Sequence, residues 1–321
     1  MMAVREPAAS SGLRLGHWAY DRGEFVPASG ARLPLSTQAL HYGIGVFEGI
    51  RAYRSARGLF LFRAHDHYER MLRSCRTLRI PLPGKPGELV DLTIELLRRN
   101  AHGEDAYVRP VAYKLSLLPG MPPGVFLNGL SDAMSIITYS LPAQRLSQGV
   151  RCGISSWRRP PRDTLPAQAK ITGGYVTGAL ASDEARAAGQ DDAILLDRSG
   201  NVAEATTANL FIVRSGHLVT PPTTGDLLPG ITRDTLLTLV REAGLPVSEQ
   251  PVSPADLVSA DEVFLCSTGK GVVPVRTVAG RDIGTGAIGP VTAEVHALYE
   301  AVTTMPGGTH ADWLTPVMET P

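Results

Sequence analysis

Apolar residues recur at three- and four-residue intervals in five stretches of this chain, and that period predicts amphipathic helices. In the first, over residues 64–78, Tyr68, Met71, Leu72, Cys75 and Leu78 share one stripe, and Pro81 and Pro83 forbid its continuation. The others cover 88–99, 175–188, 229–243 and 291–302. Pro229 and Gly230 open the fourth, and Gly244 and Pro246 close it. Apolar runs between these helices predict strands at 59–63, 107–115, 133–139, 150–157, 193–197, 209–213 and 262–266. Tyr20 to Phe25 reads as a hairpin turning at Gly23, and His41 to Tyr53 as one buried strand. Residues 1–12 read as a loose arm, and the tail from Pro306 is rich in Gly, Thr and Pro. Residues 141–148 lack a clean period and contain a proline, which marks an interdomain linker. The expected organisation is a small domain over 1–140 and a larger one over 149–321, of α/β or α+β class.

Composition narrows the function. A chain of 321 residues can bury large cores without disulfide staples. Its formal net charge of zero argues against broad electrostatic binding of nucleic acid. No apolar run approaches the ~18 residues of a membrane span, and residues 1–12 contain no apolar core of a secretory signal. Cys75, Cys152 and Cys266 are far apart, which fits neither a disulfide framework nor a zinc finger and favours a reducing, cytoplasmic compartment. Only four of the 31 basic residues are lysines, namely Lys85, Lys114, Lys170 and Lys270. Chemistry that requires a lysine amine therefore has four candidates.

No metal-binding, nucleophile-elbow or P-loop motif is present. His65 and His67 stand two apart, so they do not share a helix face and are expected in solvated or capping roles. Three segments stand out. Lys170 sits among small residues and precedes Gly173 and Gly174, which allow close backbone approach to a ligand. Spacing alone also allows an exposed loop lysine ahead of a helix. Gly230, Ile231 and Thr232 lie at a helix start, where free N–H groups and the helix dipole suit a phosphate, or serve an ordinary capped helix. Ser267 to Gly271 forms a small-residue turn after a strand, fit for an anion or for a plain connection.

Taken together, these segments resemble the fold-type IV pyridoxal-phosphate enzymes, and within them the branched-chain amino acid aminotransferases. The resemblance runs through Leu40–Tyr53 (LHYGIGVFEGIRAY), Ala106–Pro110 (AYVRP), Ser155–Arg159 (SSWRR) and Lys170–Tyr175 (KITGGY). It continues at Ala203–Glu204, Asn209–Phe211, Leu228–Asp234 (LPGITRD), Ala260–Phe264 (ADEVF), Gly289–Thr292 and Asp312–Leu314, covering about 17–315. It implies a two-domain enzyme with pyridoxal 5'-phosphate at the domain interface. Lys170 matches the catalytic lysine that forms the Schiff base, Arg70 the arginine on the cofactor phosphate, and Gly230, Ile231, Thr232 and Thr268 further phosphate contacts. Glu204 matches the carboxylate at the pyridine nitrogen, Tyr175 the tyrosine at the ring hydroxyl and Leu228 a residue packed on the ring.

For substrate the resemblance implies Tyr42, Phe47, Arg51, Tyr107, Arg109, Gly269 and Lys270, some supplied across a homodimer interface. The implied reaction passes an amino group from a hydrophobic or branched-chain L-amino acid to 2-oxoglutarate, with no metal, nucleic acid or membrane partner. Aminodeoxychorismate lyase, D-amino acid transaminase, amine transaminase and a specialised-metabolism aminotransferase share the fold and stand as alternatives. A silent binding protein on the same scaffold is a third class. The chain departs from the family pattern at Gly174, at Ala208 and at Ser267–Lys270, where branched-chain enzymes usually carry Gly-Thr-Ala-Ala. Lys270 could there add a cation for an acidic substrate or point to solvent.

Overall fold

The computed structural model describes residues 13–141 and 148–319; the arm at 1–12 and residues 142–147 of the expected linker lie outside them. Two sheets organise the chain. In the first, the central pair is Ala106–Leu117 with Leu130–Ser140, antiparallel over most of their length. Ile50–Ser55 and Gly58–Phe62 extend it on one side, and Trp18–Asp21 with Glu24–Pro27 on the other. The second sheet spans Val150–Arg158 to Arg281–Asp282 and mixes parallel and antiparallel pairing.

Both faces of the second sheet are buried, which is why its strands read as continuous apolar runs rather than as alternation. Leu210, Ile212, Val263 and Leu265 point into one apolar cluster. Their neighbours Phe211, Val213 and Phe264 point into another, shared with Tyr53, Phe60 and Phe62 of the first sheet. Phe211 and Phe264 are cross-strand partners whose rings stack at 5.0 Å. This second cluster holds the two sheets together. The helices Ala64–Thr77 and Pro86–Asn100 cover the first sheet through Tyr68, Met71, Cys75, Leu89 and Leu96.

Three segments differ from the sequence expectation. Residues 41–53 are not one strand: a short helix Gln38–Tyr42 ends at Gly43 in the left-handed conformation, and strands Gly45–Phe47 and Ile50–Ser55 follow. Gly43 is required twice, by its φ of 66° and because a Cβ there would stand 2.8 Å from the backbone of Gly173. Gly271–Val278 is a central strand despite Pro274, because parallel pairing with Val150–Arg158 starts only at Val275. The tail is not all irregular: Leu314–Glu319 pairs with Gly58–Phe62 and returns the chain to the first sheet.

Candidate active site

Lys170 ends an irregular segment and is fixed at its backbone from two sides. Its N–H donates to Ser74 Oγ at 3.1 Å on the Ala64–Thr77 helix, and its carbonyl accepts from Phe47 N at 3.2 Å. The side chain therefore projects between the sheets, where Nζ donates to Tyr175 Oη at 2.6 Å and lies 4.8 Å from the centre of the Phe47 ring. Loss of solvent and then the nearby Arg70 guanidinium bring its pKa down to about 8.

Arg70 is buried, and a sequence reading does not find what holds it. Its Nε and Nη2 donate to Glu48 Oε1 and Oε2 at 2.7 and 2.8 Å, and Nη1 donates to the Pro229 carbonyl at 2.8 Å. Glu48 also accepts from His67 at 2.8 Å. A carboxylate only accepts, so Nδ1 of His67 carries the proton. Burial pushes the Glu48 carboxyl upward, but Arg70 and His67 outweigh it and hold the group well below the usual carboxylate range. Burial keeps the His67 imidazole below its own usual range. His67 is thus a buried structural donor rather than a solvated or capping residue, while His65 is exposed beside Glu69.

Glu204 stands across the cavity. Arg159 Nε is 2.6 Å from Oε1, and Oε2 accepts from Asn209 Nδ2 and Leu228 N, each at 3.3 Å. Burial raises its pKa, with Arg159 the largest opposing influence. Burial, then Glu204, pushes the Tyr175 phenol upward, so Tyr175 stays protonated. Between these groups lies the start of the Ile231–Glu242 helix. Gly230 precedes it with no side chain to cap the first N–H groups, and a Cβ there would fall 2.0 Å from Asn209 Oδ1. The same cavity is lined by Arg70, Lys170, Tyr175, Glu204, Leu228, Ile231, Thr232 and Thr268.

A wider cleft of about 760 Å³ opens from Lys170 and is bounded by Phe47, Tyr107, Arg109 and the turn Ser267–Lys270. Arg109 Nη2 donates to Tyr107 Oη at 2.8 Å, and its buried Nε has no hydrogen-bond partner. Two expected pocket residues lie elsewhere. Arg51 is 1% exposed, donates to Asp105 Oδ2 at 2.7 Å and lies over the Tyr53 ring, so it does not line the cleft. A cation taken out of water needs a partner, and Asp105 supplies it. Tyr42 ends its short helix 47% exposed, outside the cleft of its own chain. Lys270 does border the cleft, with Nζ held 2.9 Å from Asp192 Oδ2. Among the described residues no group of His, Cys, Asp and Glu could hold a metal, and no helix is long and apolar enough to cross a membrane.

Comparison with known proteins agrees with this geometry. The family model for amino-transferase class IV matches residues 45–278. A branched-chain-amino-acid aminotransferase of Escherichia coli is 37% identical over 292 residues, 91% of this chain and 94% of that protein. The crystal structure of a branched-chain aminotransferase from Thermoproteus uzoniensis with norvaline superposes with a TM-score of 0.87 at 35% identity, covering 94% of this chain and all of that one. That of the Thermobaculum terrenum branched-chain amino acid aminotransferase, in its pyridoxal-phosphate form, gives 0.86 at 31%, covering 95% and 99%.

Proposed function

Because the chain belongs to the class IV aminotransferases, pyridoxal-phosphate enzymes of fold type IV, we propose that it moves the amino group of a branched-chain L-amino acid to 2-oxoglutarate. The observation that carries this reading is the Lys170 amine, set 2.6 Å from Tyr175 and within the field of Arg70. The donor set fits pyridoxal 5'-phosphate. An uncapped helix start and a buried arginine suit a dianionic phosphate, and a carboxylate held by Arg159 suits a protonated ring nitrogen. When bound, the cofactor supplies an aldehyde that captures amines and a ring that accepts the electron pair released at Cα.

The protein's own groups divide the remaining work. Ile231, Thr232 and Thr268, with Arg70, would hold the phosphate. Glu204 would hold the ring nitrogen, Tyr175 the ring hydroxyl, and Leu228 would pack on the ring. Lys170 would attach the cofactor and then, once free, carry the proton away from substrate Cα as a general base. Phe47 and Tyr107 offer an apolar wall for a branched side chain, and Arg109, with an unpaired buried Nε, offers the cation for a carboxylate. The lyase, D-amino acid and amine transaminase readings are not favoured, since the relatives compared are branched-chain enzymes.

We place the domain boundary at 141–148, between the strands that build the two sheets, with Leu314–Glu319 returning to the first. We also read the enzyme as a homodimer, on the exposure of Tyr42 beside Leu33, Leu35 and Leu40. A cytoplasmic site accords with three buried cysteines that form no disulfide. The functional test is a panel of L-leucine, L-isoleucine, L-valine, D-alanine and a simple primary amine, each with 2-oxoglutarate. Glutamate should form with the three branched-chain donors, and release from D-alanine alone would overturn the reading.

A further prediction concerns the amine itself. An amine reacts only when neutral, so trinitrobenzenesulfonate labelling of Lys170 in cofactor-free protein should rise with pH and reach half its maximum near pH 8. Mass spectrometry of the peptide reads the result. A midpoint at the usual lysine value, above pH 10, would place the amine in water.

A further inference from the structure

Lys270 replaces the alanine that the family resemblance leads one to expect, and its ammonium does not face the cleft unpaired. Nζ donates to Asp192 Oδ2 at 2.9 Å. Asp192 is 3% exposed, and its other oxygen accepts from Thr206 Oγ1 at 2.6 Å and from Ala193 N at 2.8 Å. Lys270 and Thr206 thus meet on one buried carboxylate, although they belong to separate turns. One turn, Ser267–Lys270, borders the substrate cleft, and the other, Thr206–Thr207, borders the cofactor cavity. On its far side the second turn is pressed against the Tyr175–Ala187 helix, where a Cβ on Gly178 would stand 2.9 Å from the Thr206 carbonyl. The two turns flank neighbouring strands, since Asn209 pairs with Cys266, and the bridge from Lys270 through Asp192 to Thr206 adds a side-chain link beyond that backbone pairing.

We infer that Lys270 is a positioning residue: through Asp192 it clamps the substrate-side turn to Thr206, and it does not receive a substrate carboxylate. The inference rests on the aminotransferase reading. The chemistry favours it, because a lysine that turned toward an acidic substrate would leave the buried Asp192 charge without its cation. A clamp acts on the shape of the turn, so its loss weakens every substrate alike. A direct contact acts on one substrate class.

The test uses holoenzyme and single-turnover half-reactions with L-leucine and L-glutamate, followed by the absorbance of the bound cofactor. Lys270→Met keeps the stem and removes the charge. It should raise the half-saturating concentration of both donors by a similar factor, about 5-fold for a partly exposed ion pair, with the limiting rate nearly constant. Lys270→Arg should restore both. Asp192→Asn, which keeps an acceptor for Thr206, should reproduce the pattern, and the double variant should be no worse than the single ones. A rise for L-glutamate alone, or no rise for either donor, overturns the inference. Should Lys270→Met fail to fold, the Asn variant decides on the same two outcomes. If wild-type enzyme shows no spectral change with either donor, the aminotransferase reading fails instead.

Discussion

Lys170→Ala should lower turnover of any amino donor by about 10⁴-fold, the upper range for removal of a positioned acid–base group. The reason is elimination as much as geometry. Among the groups lining the cavity, Arg70 and Arg159 are guanidiniums that do not deprotonate in proteins. Tyr175 is pushed towards its protonated form, and Glu204 is tied to Arg159, Asn209 and Leu228. Lys170 alone combines a pKa of about 8 with a side chain that ends in the cavity. The variant should still retain cofactor without a covalent bond, because Arg70, the helix start and Glu204 are untouched. Lys170→Arg should be as inactive as alanine, since it restores charge without a releasable proton. Stopped-flow turnover and the mass of borohydride-reduced protein measure both effects. Turnover above a tenth of wild type in either variant would remove Lys170 from the chemistry.

Local pattern made part of this site legible and left part of it invisible. The 64–78 period announces the helix that carries Arg70, and Pro229–Gly230 announces the helix start, because each signal is carried by residues only a few positions apart. The apolar runs at 209–213 and 262–266 announce buried strands for the same reason. Glu48 carries no such signal. It sits among Val46, Phe47 and Ile50 in what reads as a buried strand, and its partner is 22 residues away on another element. Arg159 is one of several arginines in a Pro-rich loop, and nothing local sets it apart from Arg158 or Arg162. Asp192 and Lys270 are 78 residues apart and meet only once the second sheet closes. The Leu314–Glu319 strand was hidden by Pro316 and by the irregular sequence before it. The resemblance to a known family gave cofactor contacts by position, but it also suggested Arg51 for the substrate pocket, and Asp105 claims that residue here.

Glu48→Ala should cost about 3–5 kcal/mol of stability, the usual consequence of leaving one member of a buried ion pair uncompensated. Glu48 is fully buried, and its two oxygens hold three donors from Arg70 and His67. Removing them strands a guanidinium next to Lys170, whose own pKa that guanidinium already depresses. Glu48→Gln keeps the shape but turns an amide donor toward Arg70 or His67, so it should lose less stability yet release cofactor more readily. Urea unfolding at unchanged slope reads the first effect, and the rate of cofactor loss on dilution reads the second. The pH dependence has a defined sign. The folded-state pKa of Glu48 lies below its unfolded value, so the stabilisation is fully present above the unfolded carboxyl pKa of about 4.3 and is lost as pH falls below it. The stability gap between wild type and Glu48→Gln should therefore be constant near neutrality and shrink in acid. A gap that widened in acid, or a Glu48→Ala protein as stable as wild type, would mean that Arg70 does not depend on Glu48 for its place in the site.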